Sequence, residues 1–467
     1  MPDRHDPRDN LDDWLNERIE PLSPPPGTFD LIKRRARRRK FRRLAITASS
    51  AAVLVAAAVT VPQVVNLPVL SENPTSPPVA GAGHSTAART ARGTASGSAS
   101  AQGSTAQRVP PTTPASVPGN FRPTSVTFVS SRTGWVIGQA GTPGHCATQY
   151  CTSVARTGDA GRTWSGVPAP LAGPPDGATG VSQIRFLNLN DGWAYGPGLF
   201  VTHTGGKTWT PVSTHGLRVT DLETVGSRVY ALWASCTGTG TAYAGGCSAF
   251  TLYSASARGG AWAPVSTATT GLTGSAASAA ASLALTGSRG YLLGPDATLY
   301  AGPVDGSAAW RKVASLPPAC ATGTQSGPAL LAPAGASELD LACLSPASDS
   351  TPVAPAERKL IFSSADGGAS WRRMGQAPAA GIAYSLAASP ARSLVLATGR
   401  GIEVLPPGES AWRTATLTAA LPDGGFSYVG MTTDELGIAL PADPAAGAVW
   451  FTYDGGQTWQ PSAVASS

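Results

Sequence analysis

At 467 residues the chain can hold two or three average domains or one large repeat domain. Only 13% of residues are charged and three are Met, against 54 Gly and 41 Pro, which favours short strands and turns over long helices. The net charge of +6 is uneven: residues 1–43 hold 12 Lys/Arg against 8 Asp/Glu, residues 66–118 hold 3 against 1, and residues 119–467 hold 19 against 19. The large C-terminal part is therefore neutral, and nucleic acid is not expected as its partner.

Residues 1–43 form a basic segment in which Asn10 can cap a short amphipathic helix carrying Leu11, Trp14, Leu15, Ile19 and Leu22 on one side. Such a helix is too short to be stable alone, so it is expected to lie at a membrane surface or dock on a cytoplasmic partner. Leu44–Val61 is free of charge and spans ~27 Å as a helix, and extension to Val65 gives a transmembrane segment over 44–65. The run Lys33-Arg34-Arg35-Ala36-Arg37-Arg38-Arg39-Lys40 just ahead of it predicts a cytoplasmic N-terminus and an extracytoplasmic C-terminus, hence a single-pass cell-membrane protein. Arg42-Arg43 before the apolar run also fits a cleaved twin-arginine signal, the competing reading. Residues 66–118, rich in Pro, Ser, Thr, Ala and Gly, read as a disordered stalk.

From residue 119 onward a motif recurs. Thr157-Gly158-Asp159-Ala160-Gly161-Arg162-Thr163-Trp164, Ser364-Ala365-Asp366-Gly367-Gly368-Ala369-Ser370-Trp371 and Thr452-Tyr453-Asp454-Gly455-Gly456-Gln457-Thr458-Trp459 all read Ser/Thr-x-Asp-x-Gly-x-Ser/Thr-Trp. A fourth copy, with Gly206 and Trp209, lacks the Asp; worn copies end at Trp262, at Trp310 with Asp305, and at Trp412. The seven Trp residues are 41 to 61 positions apart, the length of a four-stranded propeller blade. Upstream of the boxes an apolar strand and a Gly-aromatic strand recur, as in Gly134-Trp135, Gly192-Trp193 and Gly290-Tyr291. The fold class expected for 119–467 is all-β: a seven-bladed β-propeller, preceded by the single transmembrane helix and the stalk.

This pattern resembles the Asp-box (BNR) repeat family of sialidases, sortilin-type receptors and photosystem II assembly factors, and a single ring of seven is most similar to the Ycf48/HCF136-type propellers. That resemblance implies a binding or assembly role without transferable site residues. A short Asp can accept hydrogen bonds from turn N–H groups, Gly permits positive φ, and Trp buries apolar area. Asp159, Asp366 and Asp454 are accordingly expected to fasten turns. No catalytic, cofactor-binding or metal-ligating residue is expected.

In a blade running from axis to rim, the boxes fall on one face and the long segments 139–149, 234–248, 314–330 and 345–358 on the other. The six Cys follow these loops: Cys146 and Cys151 share one, Cys236 and Cys247 another, and Cys320 lies on the same face as Cys343 at a strand end. An extracytoplasmic setting favours disulfides in those three pairs. His145 beside Cys146 suggests a metal, but Cys-x4-Cys is poor zinc spacing.

The function expected is a non-catalytic binding or assembly module engaging a protein or glycan outside the membrane. One alternative is a sialidase-like glycoside hydrolase, drawn from Phe121-Arg122-Pro123, which would also need Glu223, Glu338, Glu357, Glu403, Glu409 or Glu435 in a nucleophile pair. The other is a transmembrane sensor that reports through residues 1–43.

Overall fold

The structure, a computed structural model, describes residues 116–140, 152–173, 179–236, 247–265, 281–294, 298–321, 329–346 and 357–465. The expectations for the cytoplasmic segment, the span at 44–65, nearly all of the stalk, and the Cys146–Cys151 pair lie outside these residues. Val117 and Phe121, just ahead of the first strand, are buried in core.

Among the described residues twenty-nine strands, numbered in chain order, form seven sheets, antiparallel but for one added edge strand, so the chain is a seven-bladed propeller of four-stranded blades. From blade 1 to blade 7 the first strand of one blade touches that of the next, and these strands surround the axis: β1 (Arg122–Phe128), β5 (Gln183–Phe186), β9 (Arg218–Val225), β13 (Ser282–Leu285), β17 (Leu330–Pro333), β21 (Ala383–Ala388) and β26 (Phe426–Met431). One edge of each inner strand has no partner strand, and polar side chains of the neighbouring blade satisfy it. Ser125 Oγ accepts from Ile184 N at 3.2 Å, Asp221 Oδ2 accepts from Leu283 N at 2.8 Å, and Ser385 Oγ donates to Val429 O at 3.2 Å.

Alternation along the strands gives each sheet two apolar faces, and the core is seven separate clusters, one at each blade interface. The Gly-aromatic pattern has a steric origin. A Cβ at Gly134 or Gly192 would strike the ring of Phe128 or Phe186 on the preceding strand. The aromatic after the Gly reaches across to the next blade. Trp135 stacks on Phe186 at 3.9 Å and donates its indole N–H to Gly205 O, and the Tyr291 hydroxyl donates to Ala336 O at 2.8 Å.

The ring closes without strand exchange. Blade 7 is built from the four consecutive strands β26, β27 (Gly437–Pro441), β28 (Ala448–Thr452) and β29 (Thr458–Ala463), and β25 (Thr416–Leu417) adds to its outer edge in parallel. Blades 7 and 1 meet through side chains. Phe128 lies edge-on to Phe451, Trp164 Nε1 donates to Ser462 Oγ at 3.3 Å, Ser462 Oγ donates to Gly161 O, and the Tyr453 hydroxyl donates to Ala160 O at 2.9 Å.

Candidate functional site

The repeated turns share one geometry. Thr157 Oγ1 donates to Asp159 Oδ1 at 2.8 Å and accepts from Gly161 N at 2.9 Å. Asp159 then accepts from Thr163 N at 2.9 Å and from the Thr163 hydroxyl at 2.6 Å. Ser364, Asp366, Gly368 and Ser370 repeat this with bonds of 2.7, 2.8, 2.9 and 2.6 Å. Thr452, Asp454, Gly456 and Thr458 form the third copy. The fifth position has φ of +81°, +88° and +95° at Gly161, Gly368 and Gly456, a conformation that glycine adopts without steric cost.

These bonds hold the carboxylates ionised. Hydrogen bonds from the Ser370 hydroxyl and backbone, then from Ser364, pull Asp366 down to about 2. Burial pushes Asp159 and Asp454 up, yet the turn donors outweigh it and both sit below the ordinary carboxylate value. Such groups are saturated acceptors, unsuited to proton transfer near neutral pH. In blade 2, Thr204 stands where the Asp would be. Its hydroxyl accepts from Thr208 N at 2.9 Å, and Gly206 N still bonds Thr202 Oγ1. In blade 4, Asp305 bonds only as far as Ser307 N.

All seven box Trp residues pack at the interface with the preceding blade. Trp164, Trp310 and Trp459 are buried there, while Trp209, Trp262, Trp371 and Trp412 are half-buried. The outer strands generally begin just after the Trp rather than on it, as at Ser165, Thr210 and Arg372; β29 alone takes in its Trp459.

The inner-to-middle connections, such as 129–133, 187–191 and 226–227, lie on the box face and are short. On the opposite face the strands flanking 141–151, 237–246 and 347–356 end, as does the connection 316–329. Both described disulfides are on that face. Cys236 and Cys247 occupy paired positions at the ends of β10 (Arg228–Cys236) and β11 (Cys247–Ser256), so they close a ladder where a shared loop was expected. Cys320 sits in a one-turn helix (Pro318–Ala321) and bonds Cys343. Cys343 is interior to β18 (Leu339–Pro346), paired with Leu360, because the strand runs on to Pro346 rather than ending at the Cys.

Charged side chains concentrate at the axis, and the sequence reading passed over most of them. Arg185 Nη2 on β5 meets Glu223 Oε1 on β9 at 2.7 Å, with both side chains almost wholly buried. Tyr428 on β26 lies near enough to Arg185 to feel its charge, although blade 1 separates blades 7 and 2. Burial pushes the Tyr428 hydroxyl and the Glu223 carboxyl up. Asp221 beside them accepts from Leu222 N at 2.9 Å as well as from Leu283 N. The signal was present in Arg185 within Gln-Ile-Arg-Phe and in Asp221 and Glu223 two apart on one strand, charges placed at core positions.

A second charged group ties blade 5 to blade 6. Lys359 Nζ, fully buried, donates to the carbonyls of Glu357 at 3.2 Å, Pro378 at 2.6 Å and Ala380 at 3.3 Å, while Glu357 Oε2 accepts from Ala383 N. Arg392, at φ +70°, bonds Ser363 Oγ at 2.7 Å and pairs with Glu338 at 3.3 Å.

The residues of the hydrolase reading are scattered. Phe121 is core and Arg122 is exposed in blade 1; Glu338 and Glu357 belong to blade 5, Glu403 and Glu409 to blade 6, and Glu435 to blade 7. Glu223 does meet a tyrosine and an arginine, but exposures of 0% for Glu223, 2% for Arg185 and 8% for Tyr428 leave no access for a sugar.

No family model and no curated protein matches this sequence. Among solved structures the chain is similar to YCF48 bound to D1 peptide, at 18% identity and TM-score 0.40, covering 63% of this chain and 86% of that one. It is similar to YCF48 from Cyanidioschyzon merolae at 13% identity and TM-score 0.40, covering 60% and 83%. It is also similar to a GH74 enzyme of Niastella koreensis at 13% identity and TM-score 0.39, covering 73% of this chain and 59% of the enzyme.

Proposed function

We propose that this chain is a membrane-anchored extracytoplasmic propeller that acts as a non-catalytic binding or assembly module, with the Asp-box turns fastening the blades. The face opposite the boxes is its contact surface for a protein or glycan. The observation that carries this reading is the asymmetry of the two faces. Box-face connections are short and their carboxylates are spent on their own turns, whereas the long connections and both described disulfides gather opposite. Long loops on a rigid scaffold are where recognition concentrates, and cross-links at their bases lower its ordering cost. The anchor follows from the basic run and the apolar segment ahead of the stalk.

The test is in-cell photo-crosslinking of the full chain. A photoreactive residue at Leu171 or His215 on the long-loop face should capture a discrete partner, while one at Arg132 or Lys207 on the box face should not. Capture confined to the box-face positions would refute the assignment. Protease added to intact cells should remove the propeller and spare residues 1–43. A mature chain beginning near residue 60 would replace the anchor with a cleaved signal.

A further inference from the structure

The axial cluster sets two carboxylates side by side in the core. Asp221 and Glu223 lie two residues apart on β9, and Arg185 on β5 pairs with Glu223. Two phenols act on Arg185: Tyr428 from β26, which also feels Glu223, and Tyr195 from β6 (Gly192–Tyr195). All five side chains are buried.

The two carboxylates are served unequally. Asp221 accepts from two backbone N–H groups, at 2.9 and 2.8 Å, which stabilise its charge. Glu223 has Arg185 on Oε1, but its Oε2 is sealed from solvent with no hydrogen-bond partner. An ionised carboxylate with one bare, buried oxygen beside a second carboxylate is the costliest arrangement this cluster can adopt, and a proton on Glu223 relieves it.

We propose that the axial cluster of Arg185, Asp221, Glu223 and Tyr428 carries one exchangeable proton on Glu223, and that losing it as pH rises loosens the hub joining blades 2, 3 and 7. On release the Glu223 O–H bond breaks and the proton passes to water. Two ionised carboxylates, Asp221 and Glu223, then stand side by side in a buried site. Burial, followed by the Asp221 charge, raises the Glu223 carboxyl well above its ordinary value of 4.5, against the pull of Arg185. The sign follows from linkage. The native state binds more protons than the unfolded chain between the ordinary and the raised value, so stability falls as pH rises through that window and levels off above it. Each unit of elevation is a tenfold loss in the folding equilibrium at the upper end.

The experiment measures denaturation midpoints of the full chain from about pH 5 to about pH 8 for wild type, E223Q and the exposed-site control E435Q. Glutamine keeps the shape and cannot ionise. Wild type and E435Q should lose stability as pH rises, while E223Q should show a smaller fall, keeping the part due to Asp340 and Glu403, and exceed wild type at the upper end. Difference infrared spectra should show a protonated-carboxyl band that E223Q loses. An E223Q curve parallel to wild type, or below it at every pH, would overturn the proposal and leave Glu223 as an ordinary ionised partner of Arg185. If E223Q does not fold, the band is titrated in a D340N/E403Q double variant, which removes two further carboxyls raised by burial. Persistence of the band above about pH 5 sustains the proposal, and its absence ends it.

Discussion

Trp459 offers the sharpest test of how the blades are held. Its ring is fully buried at the interface of blades 6 and 7, and its indole N–H donates to Gly456 O at 2.8 Å inside its own turn. Truncating a buried Trp to Ala costs about 3–5 kcal/mol, and leaving the Gly456 carbonyl unpaired adds roughly 1 kcal/mol. For a cooperative unit of ~350 residues the melting entropy is roughly 0.7 kcal/mol/K, so W459A should lower Tm by about 6–8 °C. Trp371 closes an equally complete motif but is half-buried, and its indole nitrogen has no hydrogen-bond partner. W371A should therefore shift Tm by roughly half as much. Calorimetry of the two variants beside wild type decides. Equal shifts, or an unchanged Tm for W459A, would refute the claim that burial at the interface, rather than a complete motif, sets the contribution.

Other expectations follow from single contacts. Non-reducing peptide mapping should recover Cys236–Cys247 and Cys320–Cys343. From separations of 11 and 23 residues, loss of either should cost ~2.8 and ~3.4 kcal/mol by chain entropy, read from denaturation of the Cys→Ser pairs. A Cys236–Cys320 link would contradict the topology. Asp366 is depressed to about 2, so its contribution is fully present above the ordinary aspartate value and is lost as pH falls toward 2. Acid denaturation of D366N should lack that component, and an acid limb identical to wild type would show that the carboxylate does not fasten the turn. G161A adds a methyl at φ +81° against the Phe451 ring and should weaken the seam between blades 7 and 1. Hydrogen exchange should then rise first in β1 and β28, and uniform exchange would argue against a local effect.

The blade count was legible because each blade ends in the same local chemistry. Thr157, Asp159 and Gly161 satisfy one another within a single turn, so the pattern survives in sequence without the rest of the fold. Even the worn copies at Trp262 and Trp412 keep the residue that packs on the preceding blade. The axial cluster was not legible, because Arg185, Glu223 and Tyr428 belong to three different blades and meet only once those blades stand around the axis. The Lys359 staple was hidden for a related reason. Its acceptors are backbone carbonyls, which leave no trace in side-chain identity. Strand limits near the cysteines were misplaced because a disulfide can cap a ladder as readily as it can bridge a loop, and spacing alone does not separate the two.

The unshared seam gives the ring a mechanical character. Six of its interfaces are crossed by the chain itself, so blades there stay tethered even if their packing yields. The seventh, between blades 7 and 1, has no such tether and depends on side-chain contacts such as those of Phe451, Ser462 and Tyr453 with Phe128, Trp164, Gly161 and Ala160. Val117 and Phe121 at the entrance and Val464 at the exit belong to the same apolar cluster, so both ends of the propeller leave from that joint. Tension applied to the chain ahead of Val117 therefore peels blade 1 from blade 7, loading side-chain contacts instead of a backbone ladder. The ring behaves as a split washer, whose yield point is the gap where its two ends meet.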